Sequence, residues 1–475
     1  MAATKIGQLA QEIARQNPWW RDPGWADADP DLVQARSSGL VYQPQVLDDL
    51  VTGSLYLLRG PRRVGKTVVV KQCIASLLAA GIPPTSIVRA AVDGWSAKDL
   101  RTVAQNVAIP PTPDGVSRYW FLDEISAVTG DWAVQVKWLR DNDPAFHSAT
   151  VVLTGSNAAE LTNAAGVLAG RRGRAPQTDR TLLPIGFRTF VHLLSQASAP
   201  AVAALPLSDA HSPAAAAAYT ALIPWIDHLA AMWQRYLSYG GFPVAVAAAK
   251  AGQPVPQHFV DDLFDVIAND TFANSRLNSL TEIALLERLW TAMGSPANLA
   301  KIAADTGVSQ EVVSRHVGYL RDAFLLWACP QKSESSWLPH PGTQSKLYAV
   351  DPLVARLPHL RNAERSDIDP TILAEMQIGQ AIRRRQIHDR PRSQTDESLF
   401  YVRTPTRKEI DFVAADLADA AIEGKFIDGG RWRREAQTVD ASRWSGVLVT
   451  QNVLDCSGAG AWAVPAGILA YLLDT

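Results

Sequence analysis

One eight-residue run limits what this chain can be more than any other: Gly60-Pro61-Arg62-Arg63-Val64-Gly65-Lys66-Thr67. An apolar run at 54–58 precedes it and reads as a strand. Residues 68–78 follow and read as a helix. Two glycines let a backbone bend around an anion, and the N–H groups at a helix start point toward that anion. The whole run, Gly60 to Thr67, is therefore the expected nucleotide cradle. Lys66 is placed to reach the β- and γ-phosphates of ATP, and the Thr67 hydroxyl to hold Mg²⁺.

The spacing matches the P-loop pattern, which calls for a second strand ending in an acid. Arg118-Tyr119-Trp120-Phe121-Leu122-Asp123-Glu124 supplies one. Ligands bind at the C-terminal edge of a parallel sheet. Asp123 is thus expected in the Mg²⁺ shell, and Glu124 as the base that polarises water. Further strands are expected at 87–92 and 150–154, with a helix carrying Trp132, Val136 and Leu139 after Asp131. The strand at 150–154 runs into Gly155-Ser156-Asn157, where Asn157 or Ser156 could sense the γ-phosphate. Asn157 is carried as the sensor candidate. In Gly170-Arg171-Arg172-Gly173-Arg174, Arg171 is the candidate arginine finger for a nucleotide in a neighbouring subunit.

Taken in order, these motifs resemble the AAA+ ATPases. The resemblance extends to the bacterial and archaeal family that joins an AAA+ module to a helix-turn-helix and a C-terminal domain of unknown function. Leu183-Pro184-Ile185-Gly186-Phe187 and Gly240-Gly241-Phe242-Pro243 match as well, although no arginine stands in the usual second-sensor place after Pro243. The resemblance implies an α/β fold: a P-loop parallel sheet with helices on both faces, a helical and winged-helix lid, and a C-terminal α/β nuclease-like domain. It also implies ATP and Mg²⁺ as cofactors and a homo-oligomeric ring, with a hexamer as one form.

The chain has 475 residues, long enough for about three domains. The expected divisions are an N-terminal arm (1–50), the ATPase core (51–193) and an Ala/Ser/Pro-rich insertion or linker (194–218). A helical lid region (219–278), a winged-helix-like domain (279–345) and a nuclease-like domain (346–475) follow. The formal charge of −2 excludes a uniformly basic nucleic-acid coat but not local basic patches. Three isolated cysteines show neither zinc spacing nor a disulfide framework, which suits a reducing cytoplasm. Residues 1–20 do not read as an export signal, and the alanine-rich runs at 214–222 and 244–252 are too short to span a bilayer. No membrane partner is expected.

Two further segments bear on DNA. Residues 298–325 read as a helix, a turn at Gly307, and a second helix capped by Ser309. Gln310, Ser314, Arg315 and Arg321 would be available to a groove. Beyond 370, a helix carries Glu375, one strand carries Asp411, and another carries Glu423 and Lys425 on one face. The order resembles the PD-(D/E)xK nucleases, in which Asp411 and Glu423 would hold Mg²⁺, Lys425 would position the nucleophile and Glu375 would assist. Arg383, Arg384, Arg385, Arg390, Arg392, Arg403, Arg407 and Lys408, interleaved with Phe400, Tyr401 and Trp432, suit a phosphate-backbone surface. The expected function is a Mg²⁺-dependent ATPase acting on DNA, on branched or damaged structures for example. The alternatives are an ATP-gated DNA- or protein-binding switch without nuclease activity, and a conditional defence or toxin nuclease.

Overall fold

In the computed structural model the chain divides into two units, 1–182 and 183–475. Described are all residues except 1, 108, 157, 196–198, 273–276, 390–397, 405–407, 459 and 475.

The first unit is built on five parallel strands: β1 Leu55–Arg59, β2 Ile87–Ala91, β3 Tyr119–Asp123, β4 Thr150–Gly155 and β5 Asp179–Thr181. Their order is β2-β3-β4-β1-β5. Nearly continuous apolar runs mark strands covered on both faces, and successive side chains alternate between them. Leu55, Leu57, Trp120, Leu122, Val151 and Leu153 pack against Leu100, Val136 and Leu161 on one face. Tyr56, Leu58, Phe121 and Val152 pack against Val70, Ile74 and Trp25 on the other. This is the expected P-loop α/β architecture: β1 to β4 lie within a residue of their expected bounds, and the short β5 is unexpected.

The N-terminal arm carries helical structure. Helices span Ala2–Gln16 and Pro30–Ser37, and Asp29 caps the latter through the amides of Asp31 and Leu32. Its last helical residue and the turn that follows close the open edge of β2. Gln16 accepts from the Ala91 N–H at 2.5 Å. Asn17 accepts from Arg89 N–H at 2.6 Å and donates to Arg89 C=O at 2.8 Å. The indoles of Trp19 and Trp20 both donate to Ile87 C=O. Side chains thus complete a ladder that an edge strand otherwise leaves open to other chains. Asn17→Ala should strand two Arg89 backbone groups and cost about 1–3 kcal/mol. Hydrogen exchange at the Arg89 amide, compared with wild type, checks this directly.

The second unit holds two sheets. Strands β6 Leu326–Cys329 and β7 Lys346–Ala349 form an antiparallel pair. They follow the helices Ser279–Trp290, Leu299–Thr306 and Gln310–Asp322, with Gly307 at φ 69° making the turn and Ser309 capping the third helix. The second sheet comprises β8 Phe400–Arg403, β9 Glu409–Val413, β10 Ala420–Ile427, β11 Ser445–Thr450 and β12 Trp462–Pro465, in the order β12-β11-β10-β9-β8. Pairing is antiparallel from β8 to β10 and parallel from β10 to β12. A separate C-terminal α/β domain is therefore present. The helix Pro370–Asp389 lies across β10 so closely that a Cβ on Gly424 would meet Glu375 Cγ at 3.0 Å.

The Ala/Ser/Pro segment expected as a surface insertion or linker is instead part of this unit's core. Leu205, Leu207, Ala210, Ala215 and Tyr219 are buried. The Leu205 amide bonds Leu472 C=O at 2.8 Å, and His211 stacks on Trp462 with ring centroids 3.8 Å apart. The motifs at 183–187 and 240–243 have a structural role too. Ile185 N–H donates to Gly241 C=O at 2.7 Å, and Gly241 N–H donates to the buried Asp351 at 2.7 Å.

Candidate nucleotide site and the acid cluster

The phosphate loop follows β1 and opens the helix Lys66–Ala79. Gly60 has φ 153°, and a Cβ there would run into the Leu182 carbonyl oxygen. Gly65 has φ 97° with open space where a Cβ would stand. Between them Arg63 takes φ 66°. Backbone curled through positive φ at three of six positions forms a concavity of N–H groups, the shape an anion needs. Val64 is buried and anchors the loop, while Arg62 and Arg63 face solvent.

Lys66 Nζ donates to Gly60 C=O at 2.9 Å, Pro61 C=O at 3.0 Å and Ser156 Oγ at 2.8 Å. Ser156 in turn touches both Glu124 carboxylate oxygens, through its N–H and its hydroxyl, each at 3.3 Å. Glu124 itself sits at φ 58°, uncommon for a side-chain-bearing residue. Its N–H is held by Thr154 Oγ1 at 2.9 Å, and the same hydroxyl donates to Asp123 Oδ1 at 2.6 Å. One threonine on β4 thus fixes both acids at the end of β3. Thr67 is half-buried in the first turn of the helix. Loop, Thr67 and buried Asp123 suit a magnesium–triphosphate.

Of the two sensor candidates, Ser156 lies in this chain of contacts, and Asn157 falls outside the described residues. Asp93, just after β2, escaped the sequence reading. Desolvation, then the charges of Glu124 and Asp123, push its carboxyl up, while Arg62 pulls it down. Arg171 is not near the phosphate loop of its own chain. It pairs with Asp141 at 2.7 Å, and its neighbour Arg172 accepts the Leu55 amide at the opposite end of β1.

The second unit gathers the C-terminal acids as the strand period implies, with one addition. Glu375, Asp411, Glu423 and Lys425 converge on Lys346 and Tyr348 from β7. Lys346 Nζ lies 2.7 Å from Asp411 Oδ1 and 3.2 Å from Glu375 Oε1, and it is 3% exposed. Tyr348 donates to Glu375. Lys425 Nζ reaches Glu423 at 2.8 Å, and Asp411 Oδ2 accepts from the Gly424 amide at 2.9 Å. Burial and then the Asp411 charge raise Glu375 to about 7 and Glu423 to about 8. Burial pushes Asp411 up most strongly, but Lys346, Lys425 and the Gly424 amide together hold it below its ordinary value.

The expected nuclease metal ligands are thus met by the chain's own cations. The Lys346 ammonium lies between Asp411 and Glu375, and the Lys425 ammonium lies on Glu423. Among the described residues no group of three or more His, Cys, Asp or Glu is arranged to hold a metal. As found, Asp411 is balanced by Lys346 and Glu423 by Lys425, so neither carboxylate stands open to Mg²⁺.

The expected basic and aromatic surface also changes. Arg384 turns inward onto the buried Asp474 at 2.8 Å, Arg383 lies over the Trp327 ring, and Arg385 pairs with Asp389 at 2.8 Å. Consecutive helical residues point about 100° apart, so three arginines in a row cannot share one face. Phe400, Tyr401 and Trp432 are buried and belong to the core, not to a stacking platform. Arg403 is exposed but paired with Glu409 at 2.5 Å, and Lys408 is exposed. Arg390, Arg392 and Arg407 fall outside the described residues. In the helix pair, Gln310, Ser314 and Arg315 are exposed, Arg315 pairs with Glu311 at 3.1 Å, and Arg321 is half-buried.

Comparison with known proteins agrees with the first site. A family model described as an AAA domain matches residues 52–191. A second, a domain of unknown function (DUF8612), matches residues 230–364. Among solved structures, the Walker-type ATPase PABY2304 of Pyrococcus abyssi matches at 12% identity and a TM-score of 0.38, over 65% of this chain and 91% of that one. The Thermotoga maritima RuvB Holliday junction branch migration motor matches at 16% identity and 0.26, over 64% and 90%. The ADP form of the Aeropyrum pernix ORC2 protein matches at 14% and 0.32, over 72% and 94%. No curated protein matches the sequence. No described helix is long and apolar enough to cross a membrane. The match to the AAA domain model and the five-stranded parallel sheet agree in giving residues 52–191 a P-loop α/β fold.

Proposed function

We propose that this chain hydrolyses ATP and applies that cycle to DNA. One observation carries the ATPase reading: the unbroken hydrogen-bonded path from Lys66 through Ser156 to Glu124, and from Glu124 through Thr154 to Asp123. Lys66 would move from the loop carbonyls onto the β- and γ-phosphates. Glu124 would orient and deprotonate the attacking water. Ser156, linked to both, would report the γ-phosphate to the base. Mg²⁺, held at Thr67 and Asp123 with the triphosphate, would supply charge neutralisation between the β- and γ-phosphates. Asn157 remains a sensor candidate. Arg171, remote from its own loop, suits a finger toward a neighbour's nucleotide in a homo-oligomeric ring.

The DNA reading is supported by the exposed Gln310, Ser314 and Arg315 on the helix after Gly307, a layout that fits a groove. The test is ATP turnover at fixed salt with single-stranded, duplex and four-way-junction DNA. Arg315→Ala should weaken DNA binding and reduce the salt slope by about one phosphate contact. Turnover and binding indifferent to all three DNA forms would end this reading. The alternative, a nucleotide-gated DNA- or protein-binding switch without nuclease activity, gains from Lys346 filling the acid cluster. A Mg²⁺-dependent toxin nuclease loses by the same observation.

A further inference from the structure

Arg89 lies on β2, beside the acid-bearing strand, and its side chain points to the same sheet edge as Asp123. Its guanidinium meets Asp123 Oδ2 at 2.6 Å, while the Thr154 hydroxyl holds Oδ1 at 2.6 Å. The pair is buried, with side-chain exposures of 11% and 5%. Among the described residues, Asp123 is the one hydrogen-bond partner of this guanidinium, whose Nε has none. The Arg89 backbone is clamped on both sides by the Asn17 carboxamide, so the cation is delivered from a fixed strand. Neither the phosphate loop nor the acid motif requires an arginine at this place.

We propose that Arg89 is a positioning residue that stands in as the counter-cation of Asp123 until the nucleotide arrives. The proposal rests on the ATPase reading of the same site. A buried carboxylate without a partner would recruit a cation. The guanidinium removes that need and, with the Thr154 hydroxyl on the other oxygen, holds Asp123 in one rotamer. It also repels a second cation, so a metal enters only with the negative charge of a triphosphate. Hydrolysis is thereby tied to the arrival of metal and nucleotide together.

The test is Mn²⁺ binding to the full chain, followed by electron paramagnetic resonance with and without a non-hydrolysable ATP analogue. Without nucleotide, wild type should bind Mn²⁺ no better than Asp123→Asn. Arg89→Gln keeps an N–H donor but loses the charge. It should bind Mn²⁺ without nucleotide about tenfold more tightly than wild type, on the order of 1.4 kcal/mol. Arg89→Lys should restore wild-type behaviour. The proposal is overturned if nucleotide-free wild type binds Mn²⁺ more tightly than Asp123→Asn, or if folded Arg89→Gln gains no affinity. The wild-type comparison decides the matter even if Arg89→Gln does not fold. Failure of wild type to bind the analogue at all would instead count against the ATPase reading, and the two failures are read separately.

Discussion

Glu124→Gln should lower ATP turnover by about 10²–10⁴-fold, the range a positioned general base supplies, while ATP binding is retained. The glutamine is isosteric, its carbonyl oxygen can still accept from Ser156, and the backbone features that place residue 124 stay: φ 58° and the N–H held by Thr154 at 2.9 Å. Geometry should therefore survive and basicity should not. Lys66→Ala should behave differently and lose nucleotide binding itself, because its ammonium is the cation aimed into the cradle. Thr154→Val should fall between them. It removes the hydroxyl that touches both Asp123 and the Glu124 amide, so it loosens two acids without deleting either. Phosphate release together with equilibrium binding of a labelled ATP analogue separates the three. Wild-type turnover in Glu124→Gln would rule out Glu124 as the base.

The nucleotide site was legible in the sequence because its chemistry is local. Eight consecutive residues make the cradle, and an apolar run ending in two acids makes the second element. What the sequence hid depends on contacts between distant positions. Arg89 reads as one basic residue in an apolar strand, and only the parallel pairing of β2 with β3 brings it to Asp123. Lys346 interrupts an apolar strand in the same way and meets Asp411 65 residues later. A lone lysine in a buried strand is a signal in hindsight, since it can be tolerated there only if paired. The order helix-acid, strand-acid, strand-acid-x-lysine did predict that Glu375, Asp411, Glu423 and Lys425 would meet. It could not show that the gap between them is filled. Composition misled where it was taken for exposure. Arginine density at 383–385 ignores the turn of the helix, and the Ala/Ser/Pro composition near 195–218 hides the apolar anchors Leu205 and Leu207, which are buried.

The filled acid cluster makes the other large effect a matter of stability and pH. Lys346→Met should destabilise the C-terminal domain by about 3–5 kcal/mol at pH 8, the cost of leaving buried charge without its partner. The penalty should shrink toward pH 5. Once Lys346 is gone, Asp411 loses the larger of the two charges that hold its carboxyl low, and the variant domain is stable only to the extent that the acids carry protons. Wild type should share the sign in weaker form. Glu375 and Glu423 titrate higher in the folded state, about 7 and about 8, than the ordinary 4.5. The folded state then binds more protons than the unfolded state between about pH 4.5 and 8, so their contribution is full below that window and is lost as pH rises through it. Asp411, held low, acts oppositely and only in stronger acid. Hydrogen exchange on peptides from β9 and β10 at pH 5, 6.5 and 8, corrected for intrinsic exchange rates, reads the domain without requiring the whole chain to unfold in one step. Plasmid incubation with Mg²⁺ or Mn²⁺ supplies the chemical arm. Wild type and Asp411→Ala should be equally inert, because the cation that balances Asp411 is part of the chain. Cleavage by wild type that disappears in Asp411→Ala would mean that Lys346 yields its place to a metal, and the conditional nuclease reading would return.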